Sequence, residues 1–258
     1  AEREARAGRL AGARIRARQL VQRLGLTLPV AVEDVAAVLG AEVVDGHLPD
    51  AMAQLMRWGG RARIRVADSV THAGARRFSI AHEVGHLWLD HRGAIDVALC
   101  AADAMEDQAA SVIEAEANAF AAELLAPAPL LGPWTACAPD LDVARALARA
   151  AGVSVTAAAL RLCELASGPC AVVRCGEGRI VWAARSATFP YLPRGRVPGP
   201  DAAAIERAAW GSLPRSPRVV PARTWLGSRA AADATVIEHS MTLPGTSDVL
   251  TMLRIESR

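Results

Sequence analysis

One stretch constrains this chain more than any other: RRFSIAHEVGHLWLDH, residues 76–91. Phe78, Ile80, Ala81, Val84, Leu87 and Leu89 make it apolar enough to be an interior helix, and the pattern predicts a helix over about 74–91. On a helix His82 and His86 stand one above the other, about 40° apart around the axis. That spacing lets both imidazoles reach a single zinc ion at about 2.1 Å. Glu83, turned about 100° from His82, can act on a water without occupying the metal. The metal polarises a carbonyl, and the carboxylate takes a proton and later hands it to a leaving amine. The bland alternative is a core helix with two hydrogen-bonded histidines, because His-Glu-x-x-His also arises by chance. A third ligand decides between the two.

The next helical pattern, over about 106–125, offers that ligand. In SVIEAEANAFAAELLAP, Glu114 and Asn118 are four apart and share a face. Glu114 would complete a set of two histidines and one carboxylate, with a fourth position left open. Asn118 can hydrogen-bond a histidine's second ring nitrogen or the nearby backbone and so hold the ligand's orientation. Glu116 is the rival ligand, about 200° away on the helix. The apolar stripe of Ile113, Ala117, Phe120 and Leu124 leaves Glu114 and Asn118 at the buried edge and sends Glu116 toward solvent. Without a metal, these acids read as solvated helix charge near Glu106 and Asp107. A His/His/carboxylate set suits zinc for hydrolysis, and it also accepts Mn(II) or Fe(II).

The remaining composition narrows the class. With 258 residues, 52% hydrophobic and 22% charged, disorder is excluded and there is room for two modest domains. Aromatics at 4% favour closely packed helices over an all-β sandwich. A net charge of +2 excludes a polyionic tail, so a DNA-binding surface would have to show itself as a local basic patch. The cysteines, Cys100, Cys137, Cys163, Cys170 and Cys175, are odd in number and lack Cys-x-x-Cys. They argue against a disulfide framework or a four-thiolate zinc site and for cytosolic thiols. No stretch reaches the roughly 20 apolar residues of a membrane span, and the arginine-rich opening is no signal peptide. The expectation is a cytoplasmic protein that does not contact a membrane.

Along the chain, a helix is expected over 2–24, burying Leu10, Ile15, Leu20 and Leu24, and a short one over 31–39. AEVVD, AMAQLMRW and RARIRVAD follow as strands, the last two joined by a hairpin at Gly59-Gly60. Residues 140–166 read as two short helices broken at Gly152-Val153. Beyond residue 170 the texture is mixed: strands at CAVVRC and GEGRIVWAA, a helix near 201–210, and two strands in DATVIEHSMTLPGTSDVLTMLRIES. In that last pair His239 alternates with apolar residues and is expected to face outward. The implied domains are 1–135, 136–168 and 169–258.

RRFSIAHEVGHLWLDH followed by IEAEANAFAAELLAP resembles the ImmA/IrrE family of bacterial zinc metallopeptidases. The whole arrangement is similar to the IrrE/PprI-like branch. The resemblance is strong over 61–131, fair over 140–167 and weak over 170–258. It implies an α+β fold: a zincin-like, mostly helical metallopeptidase domain with a small sheet, a helix-turn-helix-like segment, and a small GAF-like α+β C-terminal domain. It implies zinc (Mn2+ possible) on His82, His86 and Glu114, with Glu83 as general base. The implied activity is an endopeptidase that cleaves an XRE-type helix-turn-helix repressor in a stress or DNA-damage response. The chain departs from the family at Asp90, where a histidine is common and where His91 follows instead, and at LLAP (Leu124–Pro127) for LLMP.

Other residues carry weaker signals. His72 reads as a turn histidine near the zinc helix's N-cap, or as part of the cleft mouth. Arg76 and Arg77 either attract an acidic peptide or are simply solvated. By fold analogy Arg61–Ala67 would be an edge strand that pairs with substrate backbone. VTAAALRLCEL offers one basic residue, Arg161, so the helix pair is expected to pack between domains or engage the protein substrate, and direct DNA binding is not expected. Trp182, Phe189, Tyr191, Trp210 and Trp225 line a C-terminal pocket or, more simply, fill a core. That domain could also mediate a homodimer. The alternative to a peptidase is a non-hydrolytic regulatory module that binds a repressor or DNA.

Overall fold

A computed structural model of the chain describes residues 2–90, 112–210, 213–231 and 233–255. His91, Cys100, Glu106, Asp107 and the start of the helix expected from 106 lie outside the described residues, as does the side chain of Trp210. The fold is α+β, with helices and two sheets. Packing divides it into two compact units, 1–131 with 149–154, and 132–148 with 155–258. Among the described residues no single helix is long and apolar enough to cross a membrane.

The first unit opens with α1, Glu2–Leu24. Its buried stripe is Ala13, Ala17, Leu20 and Val21, with Leu10 and Leu24 partly covered. Ile15, expected in the core, is 50% exposed, because it lies two residues and about 200° from Ala13 around the helix. Small alanines let α1 pack along α4. A short α2, Val32–Val38, leads into β1, Ala41–Gly46. The hairpin of β2, Ala53–Trp58, and β3, Arg61–Ala67, turns at Gly59 and Gly60, both at positive φ. Ala62, Ile64 and Val66 of β3 are buried, and the arginines between them take the other face.

The sheet order is β1-β3-β2, with β1 parallel and β2 antiparallel to β3. Arg61–Ala67 is therefore the central strand and not the expected edge. Once β1 pairs along it, both rows of its backbone hydrogen-bonding groups are taken. The free edge beside the metal helix belongs to β2.

That helix is α3, Ala73–Trp88. It stops short of the expected 91, with Leu89 as its cap and Asp90 in the left-handed region at φ 54°. The helix α4, Val112–Leu125, packs against both α1 and α3. Phe120, Leu124 and Leu125 complete the core with Ile64, Ile80 and Val84.

From residue 132 a single turn, α5 (Gly132–Thr135), precedes the helix pair α6, Leu141–Ala151, whose last three residues belong to the first unit, and α7, Val155–Leu165, in the second. Then come β4 (Cys170–Gly176), β5 (Arg179–Arg185), α8 (Ala203–Trp210), an unanticipated β6 (Arg218–Pro221), a short α9 (Arg223–Leu226), β7 (Thr235–Thr242) and β8 (Val249–Arg254). The five strands form an antiparallel sheet in the order β5-β4-β8-β7-β6. Helix α7 packs on β4 and β5, and α8 on β7. Trp225 and Phe189 are core residues, whereas Tyr191 is 59% exposed.

His239 does not face outward; it is 2% exposed. Alternation misled because β7 is covered on both faces, with Val236, Glu238 and Ser240 buried on one and His239 on the other. Its Nδ1 accepts a hydrogen bond from the backbone N–H of Leu141 at 3.3 Å. Among the described residues Cys137, Cys163, Cys170 and Cys175 are free thiols.

Candidate metal centre

The run Ser79–His86 of α3 is buried throughout, so both imidazoles enter the interior of the first unit. A helical turn apart, their Nε2 atoms lie 2.9 Å from each other. From α4, one carboxylate oxygen of Glu114 stands 3.2 Å from His82 Nε2 and the other 3.4 Å from His86 Nε2. Four ligands set tetrahedrally at about 2.1 Å from an ion are about 3.4 Å apart. The three observed separations fall at or slightly inside that value. Two imidazoles and a carboxylate aimed at one point are also the donor set that a divalent cation of zinc type prefers. The residues fit a metal.

The other ring nitrogen of His82 is held as the sequence suggests. Asn118 Oδ1 lies 2.9 Å from His82 Nδ1, so Nδ1–H donates and the Nε2 lone pair is turned toward the shared point. Burial acts to lower the pKa of His82, but the hydrogen bond to Glu114, the charges of Glu83 and Glu114, and the bond to Asn118 together raise it. Hydrogen bonds to His82 and His86 hold the Glu114 carboxyl well below the usual carboxylate range, against a smaller opposing effect of burial. Glu83 is next to His82 on α3 and is itself buried, at 1% exposed.

A glycine makes this meeting of helices possible. A Cβ on Gly85 would come within 3.2 Å of Ala117 Cα and 3.3 Å of both the Ala117 carbonyl and the Phe120 ring. The absence of that carbon lets α4 approach α3 closely enough for Glu114 and Asn118 to reach the histidines. A glycine inside a helical pattern is a readable signal of such packing. Arg57 of β2 also went unnoticed in sequence. Its Nη2 donates to the His86 carbonyl at 2.8 Å and its Nη1 lies 3.4 Å from Asp90. Asp90, where the family often has histidine, thus faces an arginine of the sheet.

The rival ligand, Glu116, is engaged by α1 and not by solvent. Arg9 of α1 forks onto Glu116 with contacts of 2.9 and 2.7 Å, and the Glu116 side chain is only 12% exposed. Arg18 likewise pairs at 2.8 Å with Glu123, which is wholly buried. Nothing local to α1 marks these partners, which are more than 100 residues away. His72 caps α3, its Nδ1 accepting from the Ala75 N–H at 3.4 Å. Neither Arg76 nor Arg77 is simply solvated. Arg76 pairs with Asp45 and lies 3.8 Å from Glu33, while Arg77 donates to the carbonyls of Val30, Gly152 and Ala151.

A second grouping among the described residues, Asp140, Asp142 and His239, reads differently. Asp140 caps α6 by accepting from the N–H groups of Asp142 and Val143, and Asp142 pairs with Arg145 at 2.6 Å. His239 accepts from Leu141. The positive end of the α6 dipole opposes a cation there. This cluster is a helix cap.

Residues 36–163 match the family described as the IrrE N-terminal-like domain, Peptidase M78. That stretch, just under half of the chain, is similar to an IrrE N-terminal-like domain. His82, Glu83, His86, Glu114 and Asn118 all fall inside it, so the grouping that could hold a metal sits in the stretch similar to a metallopeptidase family. A Mycobacterium tuberculosis transcriptional regulator of known structure superposes with a TM-score of 0.59 at 18% identity, over 95% of this chain and 76% of that one. At that identity the likeness is one of fold. No curated protein matches the chain significantly.

Proposed function

We propose that this protein is a zinc-dependent endopeptidase that cleaves one regulatory protein, an XRE-type transcriptional repressor, in a stress or DNA-damage response. The observation that carries the reading is the convergence of His82 Nε2, His86 Nε2 and the Glu114 carboxylate beside a buried Glu83. A zinc ion held by those three, with Mn2+ as an alternative, would supply the Lewis acidity that polarises a peptide carbonyl. Glu83 takes a proton from the attacking water and returns it to the leaving amine. Asn118 keeps His82 in the ligating tautomer, and Arg57 ties the end of α3 to the sheet.

The edge of β2 is the strand we assign to substrate backbone, since β3 has none free. A groove of about 820 Å³ runs along it, lined by Gln54, Arg57 and Trp58 and by Leu87 and Asp90, which flank the end of the metal helix. None of the three ligands lines that groove, so it suits residues to one side of the scissile bond. The helix pair α6–α7 and the antiparallel sheet flanked by α7 and α8 support the helix-turn-helix-like and GAF-like readings of the later segments. The free thiols support a reducing, cytoplasmic setting.

The test is a cleavage assay on repressors from the same genome, using metal-loaded protein, chelated protein and Glu83→Gln, with fragments mapped by mass. The expected outcome is one discrete cut by the loaded wild type and none by E83Q, which keeps its metal. A repressor that is bound but left intact by the wild type would instead favour a non-hydrolytic regulatory module.

A further inference from the structure

Between Ser186 and Ala231 the sequence carries seven arginines, at 194, 196, 207, 215, 218, 223 and 229, against two acids, Asp201 and Glu206. The fold brings several of them together. The loop after β5 is pinned to that strand by Gly195 N–H to the Ile180 carbonyl, 2.8 Å, and Ile180 N–H to the Arg196 carbonyl, 2.9 Å. It is pinned to α9 by Gly199 N–H to the Thr224 carbonyl, 2.7 Å. Arg179 of β5 reaches across to the Gly195 carbonyl at 3.2 Å. The Arg196 guanidinium lies against Gly227, at φ +64°, where a Cβ would collide with it. Arg194 and Arg196 therefore stand beside Arg179 on one side and the segment bearing Arg223 and Arg229 on the other.

None of these five arginines pairs with a carboxylate among the described residues. Arg218 engages both Glu206 and Glu238, each at 2.8 Å. Asp201, and Glu177 in the turn before Arg179, are exposed acids nearby with no ion pair among the described residues. Fixed like charges on an ordered backbone repel one another unless a polyanion covers them. Guanidinium forks match phosphate oxygens.

We propose that this face of the C-terminal unit docks nucleic acid through its phosphate backbone. It differs from the helix pair, whose one basic residue in α7, Arg161, is 3% exposed and paired with Glu164 at 2.8 Å. Contacts to phosphates alone predict little sequence preference and strong salt dependence. The surface does not rest on the peptidase reading, and its test needs no cleavage.

The experiment is fluorescence anisotropy of the full, zinc-loaded chain with a labelled 20-base-pair duplex, from about 50 to about 200 mM salt. The comparison is the exposed-residue variant Arg194→Gln/Arg223→Gln/Arg229→Gln, checked for an unchanged circular dichroism spectrum. Binding that weakens with salt, and that falls at least about tenfold in the variant with a shallower salt slope, is the expected result. If the variant misfolds, Arg223→Gln alone should still weaken binding and flatten the slope. No duplex binding at 50 mM salt overturns the proposal, as does binding that both variants leave unchanged. Equal affinity for poly-glutamate overturns the choice of nucleic acid over an acidic protein.

Discussion

At the scale of single residues, the centre depends on which imidazole nitrogen is free. Asn118→Ala removes the acceptor that holds His82 Nδ1–H, while leaving the three proposed ligands in place. Loss of such an outer partner weakens metal binding by about 10- to 100-fold, which a chelator competition titration will measure. The pKa shifts predict how the metal-free protein responds to pH. His82 is raised above its ordinary 6.5, so its protonated form stabilises the fold fully below about that pH. The contribution is lost as pH rises through the folded value. Glu114 is depressed from 4.5, so its contribution is present above that value and lost on acidification. With chelator present, the thermal midpoint should therefore fall from mildly acidic to alkaline pH. Zinc affinity should rise over the same interval, because zinc needs the deprotonated ring. Parallel slopes in the two experiments would contradict this picture. The meeting of His82, His86, Glu114 and Asn118 was legible in sequence because a helix fixes which side chains share a face. Arg57 and Arg9 were not, since their partners are chosen by tertiary packing and no local spacing encodes it.

At the scale of elements, the contact between α3 and α4 is set by Gly85. Gly85→Ala gains about 1 kcal/mol of helix propensity. Against this stands an overpacking cost of about 1–3 kcal/mol, since the contacts at Ala117 are backbone and cannot rotate away. The expected result is a small net loss of stability in denaturant titration, with a clear loss of zinc affinity as α4 is pushed off the histidines. A variant as stable as wild type with undiminished zinc binding would contradict the close-approach argument. Strand existence was readable from alternation and the Gly59-Gly60 turn, but strand order was not. The pattern of RARIRVA is that of a strand with one apolar face, and a central strand and an edge strand of such a sheet look alike in sequence. His239 failed for a related reason, because a strand covered on both faces no longer sorts polar from apolar positions.

At the scale of the whole molecule, the two His/acid groupings separate by what surrounds them. One joins α3 and α4 in the interior of the first unit, and the other caps α6 in the second. The architecture of helices with two sheets was legible. The closeness of Glu116 to Arg9 and the basic face of the C-terminal unit became visible only when distant segments were brought together. The account therefore predicts one bound ion per chain.

The most direct test counts zinc per chain by equilibrium titration in wild type, Glu114→Gln and Glu116→Gln. One ion is expected in wild type, a loss of affinity of about 100-fold or more in E114Q, and near-normal binding in E116Q, whose side chain is engaged by Arg9 of α1. Zinc held normally by E114Q, or lost in E116Q while E114Q keeps it, would contradict a centre shared by α3 and α4.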